Sequence, residues 1–211
     1  MAKDFYNLYD QFALDELSCS KNASQRELPN HSSQNSSAQR IDYLAQPVSK
    51  LQGQLMVAGD KSISHRALLL GSLAQGKTRI YNCLMAKDIL VTIQVLRQLG
   101  VKIEQHENCL TVLGNGKHGY TIPKQRLDFG NSGTGLRLMT SILAGQGISA
   151  ILTGDESLSL RPMARIINPL MAMGAKIQAA ENDTPPLIVH PMPVTKAIDY
   201  QLPVASAQVK S

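Results

Sequence analysis

Apolar and polar positions along this chain switch between a period of two and a period near 3.6, and the switches mark out its elements. Residues 54–58 read as a strand and Gly59-Asp60-Lys61 as a turn. A helix is predicted over 62–74, stopped by Gln75-Gly76, and 77–82 alternates as a strand. Ile89, Ile93, Leu96 and Leu99 recur at helical spacing, so 87–99 reads as a helix that Gly100 closes. Strands follow over 101–103 and 109–113.

The order then repeats. Asn131-Ser132-Gly133-Thr134 opens a helix ending near Gly145-Gln146-Gly147, and 148–153 reads as a strand. Arg161-Pro162 is predicted to begin another helix, with Pro in its first turn, ending at Met173-Gly174. Ala175-Lys176-Ile177 echoes Val101-Lys102-Ile103. Alternating strands and helices place the chain in the α/β class.

Three predicted helix starts share a further pattern, a small residue followed four positions later by a cation: Ser62 and Arg66, Gly133 and Arg137, Ser206 and Lys210. The cations lie 71 and 73 residues apart, a recurrence that signals a repeated unit. Two units and the start of a third are expected. The echoing strands lie 74 residues apart, so the second unit carries three extra residues near 154–160, read as a functional loop. A cation in the first turn opposes the helix dipole. Three of them at one repeat position suggest an anion at the helix starts.

Residues 1–40 differ. A short amphipathic helix is predicted over 4–17, followed by a Ser-, Asn- and Gln-rich stretch that cannot bury enough apolar surface to offset its ordering entropy. This segment reads as a disordered or linker-like extension, either the remnant of an upstream domain or a plain tail. Residues 41–211 hold 17 basic and 11 acidic residues, a net +6, which suits a small anionic substrate. With aromatics at 4% and the basic residues dispersed, nucleic acid is not expected as a partner. No apolar run reaches the ~20 residues of a membrane span, and the first residues lack a signal-peptide pattern. Cys19, Cys83 and Cys109 are scattered and odd in number, as for free thiols in a reducing compartment, so a cytoplasmic location is expected.

Residues 71–78, GSLAQGKT, match the phosphate-loop formula of nucleotide hydrolases. That loop needs a strand before it and a helix after it. Here the predicted order is reversed, which excludes the reading. At Lys61-Ser62-Ile63-Ser64-His65-Arg66, Ser62 is the expected N-cap and Lys61 projects from the preceding turn, so two cations, a hydroxyl and free N–H groups could hold a phosphate or carboxylate. His65 reads as a packing or solvated residue rather than a proton shuttle. Between Phe129 and Arg137 three glycines stand at a strand-to-helix junction, where a ligand can approach the backbone closely. Arg161 could clamp a second anion.

Four stretches, GDKSISHRALLLGSLAQGKT, NSGTGLRL, LTGDESLSLRP and LPVASAQVKS, resemble the enolpyruvyl transferases in family order across residues 55–211. The resemblance favours the shikimate branch over the UDP-sugar branch, whose loop cysteine has no counterpart in 154–160. It implies an inside-out α/β prism of βαβαββ units in two lobes. Residues 41–58 would be a leading strand segment that packs with the other lobe, and 59–211 the N-terminal substrate-binding lobe, truncated in its third unit. The implied reaction moves the enolpyruvyl group of phosphoenolpyruvate to the 5-hydroxyl of shikimate 3-phosphate, without metal or organic cofactor. Lys61 resembles the lysine that touches both substrates and assists addition–elimination. Ser62, Arg66, Ser206, Ala207 and Gln208 match shikimate 3-phosphate ligands. Gly133, Arg161 and Gln208 match phosphoenolpyruvate contacts, with Thr134 and Arg137 in support. Ala207 stands where many members have serine, and Leu138 where proline is frequent. The family's acidic catalytic pair belongs to the other lobe, so residues 1–211 alone are expected to be inactive, and the full-length enzyme to be a monomer inhibited by glyphosate. The remaining alternatives are a non-catalytic anion-binding half-protein and the UDP-N-acetylglucosamine branch.

Overall fold

The computed structural model describes residues 44, 46–47, 49–50, 52–191, 196–203 and 205–210. The expectations for 1–40, Cys19 included, lie outside these residues. The chain divides into Met1–Gln52 and Gly53–Ser211, and the second unit is the one described below.

Its first half runs α1 (Lys61–Leu73), β1 (Gln75–Tyr81), α2 (Lys87–Gln98), β2 (Lys102–His106) and β3 (Cys109–Asn115). The strands form an antiparallel sheet in the order β1-β3-β2, with Ile80 opposite Leu110 and Ile103 opposite Val112. These four residues bury one face of the sheet, as a period of two requires. Leu68 of α1 and Ile89, Val95 and Leu96 of α2 are fully buried, each contributing roughly 1.5–3 kcal/mol by leaving water. α1 is unusual in that its buried face also carries Ser64, His65 and Ser72, while Ile63 and Leu70 are exposed. Hydrogen bonds offset that polar burial. Ser64 Oγ accepts from the Leu84 amide at 3.0 Å, and Ser72 Oγ donates to the Leu69 carbonyl at 2.6 Å and meets the Tyr120 hydroxyl.

The second half runs β4 (Leu127–Asp128), α3 (Gly133–Gln146), β5 (Ala150–Thr153), α4 (Glu156–Ser159), α5 (Ala164–Ala172), β6 (Ile177–Gln178) and β7 (Leu187–Val189). The strands order as β4-β5-β7-β6, with β4 parallel to β5 and the other pairs antiparallel. Matching β5 to β1, β7 to β3 and β6 to β2 gives the same order of three strands in both sheets. α6 (Ala207–Lys210) follows and packs on α3 and α5.

Several expectations need correction. Residues 54–58 form no strand, and Leu55, Met56 and Val57 are exposed, because no neighbouring strand pairs with them among the described residues. β4 fills that position in the second unit. Ser62 is not the cap of α1. Asp60 is, its Oδ1 accepting from the Ile63 amide at 2.7 Å, so Lys61 is already the first helical residue. The cations consequently sit at helical positions six (Arg66), five (Arg137) and four (Lys210), at or beyond the end of the first turn. Arg161 and Pro162 precede their helix, which begins at Ala164. The loop over 154–160 contains the single-turn helix α4. Gly71 and Ser72 lie in the last turn of α1 while Gly76, Lys77 and Thr78 belong to β1, the reverse of a phosphate loop, as expected. Gly100 (φ +89°) and Gly147 (φ +68°) close α2 and α3 in the left-handed region, where glycine is least strained. No helix among the described residues is long and apolar enough to cross a membrane.

Candidate functional site

At the start of α1, Lys61 Nζ lies 3.1 Å from Asp88 Oδ2 in the first turn of α2, a partly exposed ion pair. Arg66 reaches back one turn, and its Nη1 donates to the Ser62 carbonyl at 3.2 Å. Beneath them His65 is fully buried. Its Nδ1 lies 3.0 Å from Thr92 Oγ1, and Thr92 donates its one hydroxyl proton to the Asp88 carbonyl at 3.2 Å. Its Nε2 is buried without a hydrogen-bond partner among the described residues. Burial, assisted by Lys61 and Arg66 and opposed by Asp88, pushes the His65 pKa down to about 4. Of the two sequence-level alternatives to a proton shuttle, packing or solvated, the structure places His65 as a buried packing residue.

The second helix start is built differently. Ser132 caps α3, fully buried, its Oγ accepting from the Gly135 amide at 3.3 Å. Gly133 is the first helical residue. A Cβ placed on it would stand 3.2 Å from both Arg137 Nη1 and Arg161 Nη1, so two guanidinium groups flank a point where only hydrogen fits without displacement. Both guanidinium groups rest on neutral oxygens. Arg137 Nη2 donates to the Pro162 carbonyl at 3.3 Å. Arg161 Nη1 donates to the Asn131 carbonyl at 3.4 Å, and its Nη2 to Ser157 Oγ at 3.2 Å and to Asn131 Oδ1. Burial first, then the charges of Arg161 and Arg165, lower the Arg137 pKa. Asp155 stands behind this pair. It caps α4 through the Leu158 amide at 2.8 Å and accepts from Asn131 Nδ2 at 3.0 Å. Those two hydrogen bonds, more than the charges of Arg161 and Lys87, hold its carboxyl below the usual range.

Thr92 joins the two starts, because its Oγ1 lies 2.9 Å from where a Cβ of Gly135 would stand. The third segment reaches the second through Gln208 Nε2, which donates to Thr134 Oγ1 at 3.3 Å. Gly133, Arg137 and Arg161 therefore form one cluster, Lys61 and Arg66 belong to a second, and Thr134 with Gln208 to a third that touches the first. Ser206 and Ala207 stand at the start of α6, and Lys210, exposed at its last residue, enters none of the described ion pairs. Sequence reasoning missed Asp88, Asn131 and Asp155 as participants. Asp88 was accessible as an acid in the first turn of a predicted helix, whereas the Asn131–Asp155 contact spans 24 residues and leaves no local trace. Among the described residues no group of three His, Cys, Asp or Glu side chains could hold a metal ion.

Comparison with known proteins gives one consistent result. A family model described as EPSP synthase (3-phosphoshikimate 1-carboxyvinyltransferase) matches residues 45–211. The chain is 53% identical over 169 residues to a 3-phosphoshikimate 1-carboxyvinyltransferase of Streptococcus suis, covering 80% of this chain and 40% of that protein. It is 51% identical over 172 residues to the protein of the same name from Alkalilimnicola ehrlichii, covering 81% and 39%. The solved EPSP synthase of Acinetobacter baumannii superimposes with a TM-score of 0.72 at 45% identity, over 75% of this chain and 36% of that one. The chain thus spans about 40% of the length of the curated relatives it matches.

Proposed function

The chain belongs to the EPSP synthase family, and from that premise we propose that residues 59–211 form one substrate-binding lobe of an enzyme that transfers the enolpyruvyl group of phosphoenolpyruvate to the 5-hydroxyl of shikimate 3-phosphate, releasing phosphate. Residues 41–58 lead into this lobe as the segment that packs with the second one. Lys61 lies between the two substrates and assists addition–elimination. Ser62, Arg66, Ser206, Ala207 and Gln208 hold shikimate 3-phosphate. Gly133 and Arg161, with Gln208 and Lys61, hold phosphoenolpyruvate, and Thr134 and Arg137 support that loop.

The observation that carries this reading is the pair of guanidinium groups on either side of Gly133, both hydrogen-bonded to neutral oxygens, at the start of a 14-residue helix. Two like charges brought together, without a carboxylate between them, cost energy unless an anion offsets it. The dipole of α3 adds attraction for the same anion at its head. A phosphate or carboxylate seated there would accept from both Arg side chains, and the missing Cβ of Gly133 leaves it room. The proton transfers of the reaction need an acid and a base within hydrogen-bond reach, and in this reading they come from outside residues 59–211.

Calorimetry on the 211-residue chain tests the reading. Shikimate 3-phosphate should bind weakly, ATP should not bind, and a phosphate-release assay with both substrates should give no turnover. Full turnover by this chain alone, or binding of ATP in preference to shikimate 3-phosphate, would overturn it.

A further inference from the structure

Arg161 is held by neutral atoms, yet a carboxylate stands one residue behind them. Asp155 Oδ2 and Oδ1 accept from Asn131 Nδ2 at 3.0 and 3.3 Å, and Asn131 Oδ1 in turn accepts from Arg161 Nη2. We propose that Asp155 and Asn131 are positioning residues, a relay that sets the plane of the Arg161 guanidinium without neutralising its charge.

An ionised carboxylate can only accept, so the side-chain amide of Asn131 must turn its NH₂ towards Asp155. That choice forces its oxygen towards Arg161, which can only donate. With Asp155 removed, the amide could rotate and set NH₂ against guanidinium, donor against donor. The main-chain carbonyl of Asn131 and the Ser157 hydroxyl complete the grip, so each Nη of Arg161 has a fixed acceptor. Both ends of the relay are anchored in turn. Asp155 is fixed by the Leu158 amide through its side chain and by the Gly130 carbonyl, which accepts from its own amide at 2.8 Å. The three residues inserted near 154–160 thereby acquire a purpose, since α4 delivers Asp155 and Ser157 to the relay. A direct Asp–Arg pair would orient the guanidinium equally well but would compete with any incoming anion. The neutral amide between them avoids that competition.

The positioning itself can be read without a ligand, in ¹⁵N spectra of the arginine side chains of the full chain. Wild type should show separate signals for the two Arg161 Nη groups, because rotation about Nε–Cζ is slow when both are held. Asn131→Ala should speed that rotation about tenfold or more, by loss of a hydrogen bond to a charged group, and merge the signals. Asp155→Asn keeps an acceptor for the Leu158 amide, so the turn should persist while the Arg161 signals broaden. The Leu158 amide resonance reports whether it does. Unchanged Arg161 signals in both variants, or merged signals in wild type, would overturn the relay. The consequence for ligands rests on the function proposed above: phosphoenolpyruvate should bind about tenfold more weakly to Asn131→Ala and about threefold more weakly to Asp155→Asn. If the spectra change as expected and wild type fails to bind phosphoenolpyruvate, the relay stands and the ligand assignment falls.

Discussion

The starts of α1 and α3 occupy equivalent places in two repeats with the same strand order, yet they handle positive charge in opposite ways. At α1, Lys61 is paired directly with Asp88, and a carboxylate, Asp60, caps the helix. At α3 the cap is the buried hydroxyl of Ser132, and Arg137 and Arg161 rest on carbonyl and amide oxygens. The first start is nearly balanced, whereas at the second neither guanidinium beside the glycine is ion-paired with a carboxylate among the described residues. The comparison teaches that a repeat can preserve a scaffold while redistributing its electrostatics. Within these two units the strongest attraction for a small anion should lie at α3, with the α1 start adding contacts that a larger substrate can use.

The sharpest way to break this contrast is Arg161→Ala. Phosphoenolpyruvate affinity, measured by calorimetry, should fall about 100-fold, since charge-assisted hydrogen bonds are worth roughly twice neutral ones. An equal loss from Arg66→Ala, with little from Arg161→Ala, would reverse the assignment of roles. Next in size is the titration of His65, beneath the balanced start. Its pKa is about 4 when folded against 6.5 for a free imidazole. Between those values the unfolded chain binds a proton that the folded chain does not, so stability falls as pH drops from 6.5 towards 4. The loss should be on the order of 2 kcal/mol once solvent screening is allowed for, read as a shift in urea midpoint. His65→Asn should flatten that dependence. A wild type with no such dependence would mean that burial does not disfavour the protonated imidazole, and the α1 start would then gain a positive charge as pH falls below 6.5.

Much of the fold was legible because helix stops and strand alternation are local. Gly100 and Gly147 closed their helices where expected, and the β1 strand was placed within two residues at its start. The start of α1 was misread because two candidate caps, Asp60 and Ser62, stand two residues apart, and only geometry decides which side chain reaches an amide. The inverted character of α1, with Ser64, His65 and Ser72 inside and Ile63 and Leu70 outside, defeats any argument from amphipathicity. β7 was missed because three residues, Leu187–Val189, are too few to show a period. The grouping of Gly133, Arg137 and Arg161 was partly legible, since the glycine and the first arginine share a helix turn. The approach of Arg161 depends on α4, which the sequence reading treated as loop. Asn131 and Asp155 become partners only through the parallel pairing of β4 with β5.

Gly133→Ala tests the geometry of the unbalanced start rather than its charge. A methyl group there must displace both guanidinium groups by a few tenths of an ångström, since each would be 3.2 Å away. Helix propensity favours alanine, so the folded state should be retained or slightly stabilised. Affinity for phosphoenolpyruvate should nevertheless fall about tenfold, because the methyl occupies the space between the two cations. Affinity for shikimate 3-phosphate should hardly change. If the two ligands lost affinity equally, the division of labour between the two helix starts would be wrong.

The smallest expected effect comes from the other side of the contrast. In Asp88→Asn the side chain keeps an oxygen that can face Lys61 but loses its charge. The pair is partly exposed, with about half of the Lys61 side chain accessible, and such pairs contribute about 0.2–1 kcal/mol. Stability should therefore drop by less than about 1 kcal/mol, and less again at high salt, where the screening length shortens. The electrostatic consequence runs the other way. With Asp88 neutral, the Lys61 charge is no longer offset, and the α1 start comes to resemble the α3 start. Binding of inorganic phosphate at low ionic strength should then tighten about twofold. Weaker phosphate binding in Asp88→Asn would mean that the carboxylate serves chiefly to aim Lys61, and the two helix starts would differ in how they orient their cations rather than in how they balance them.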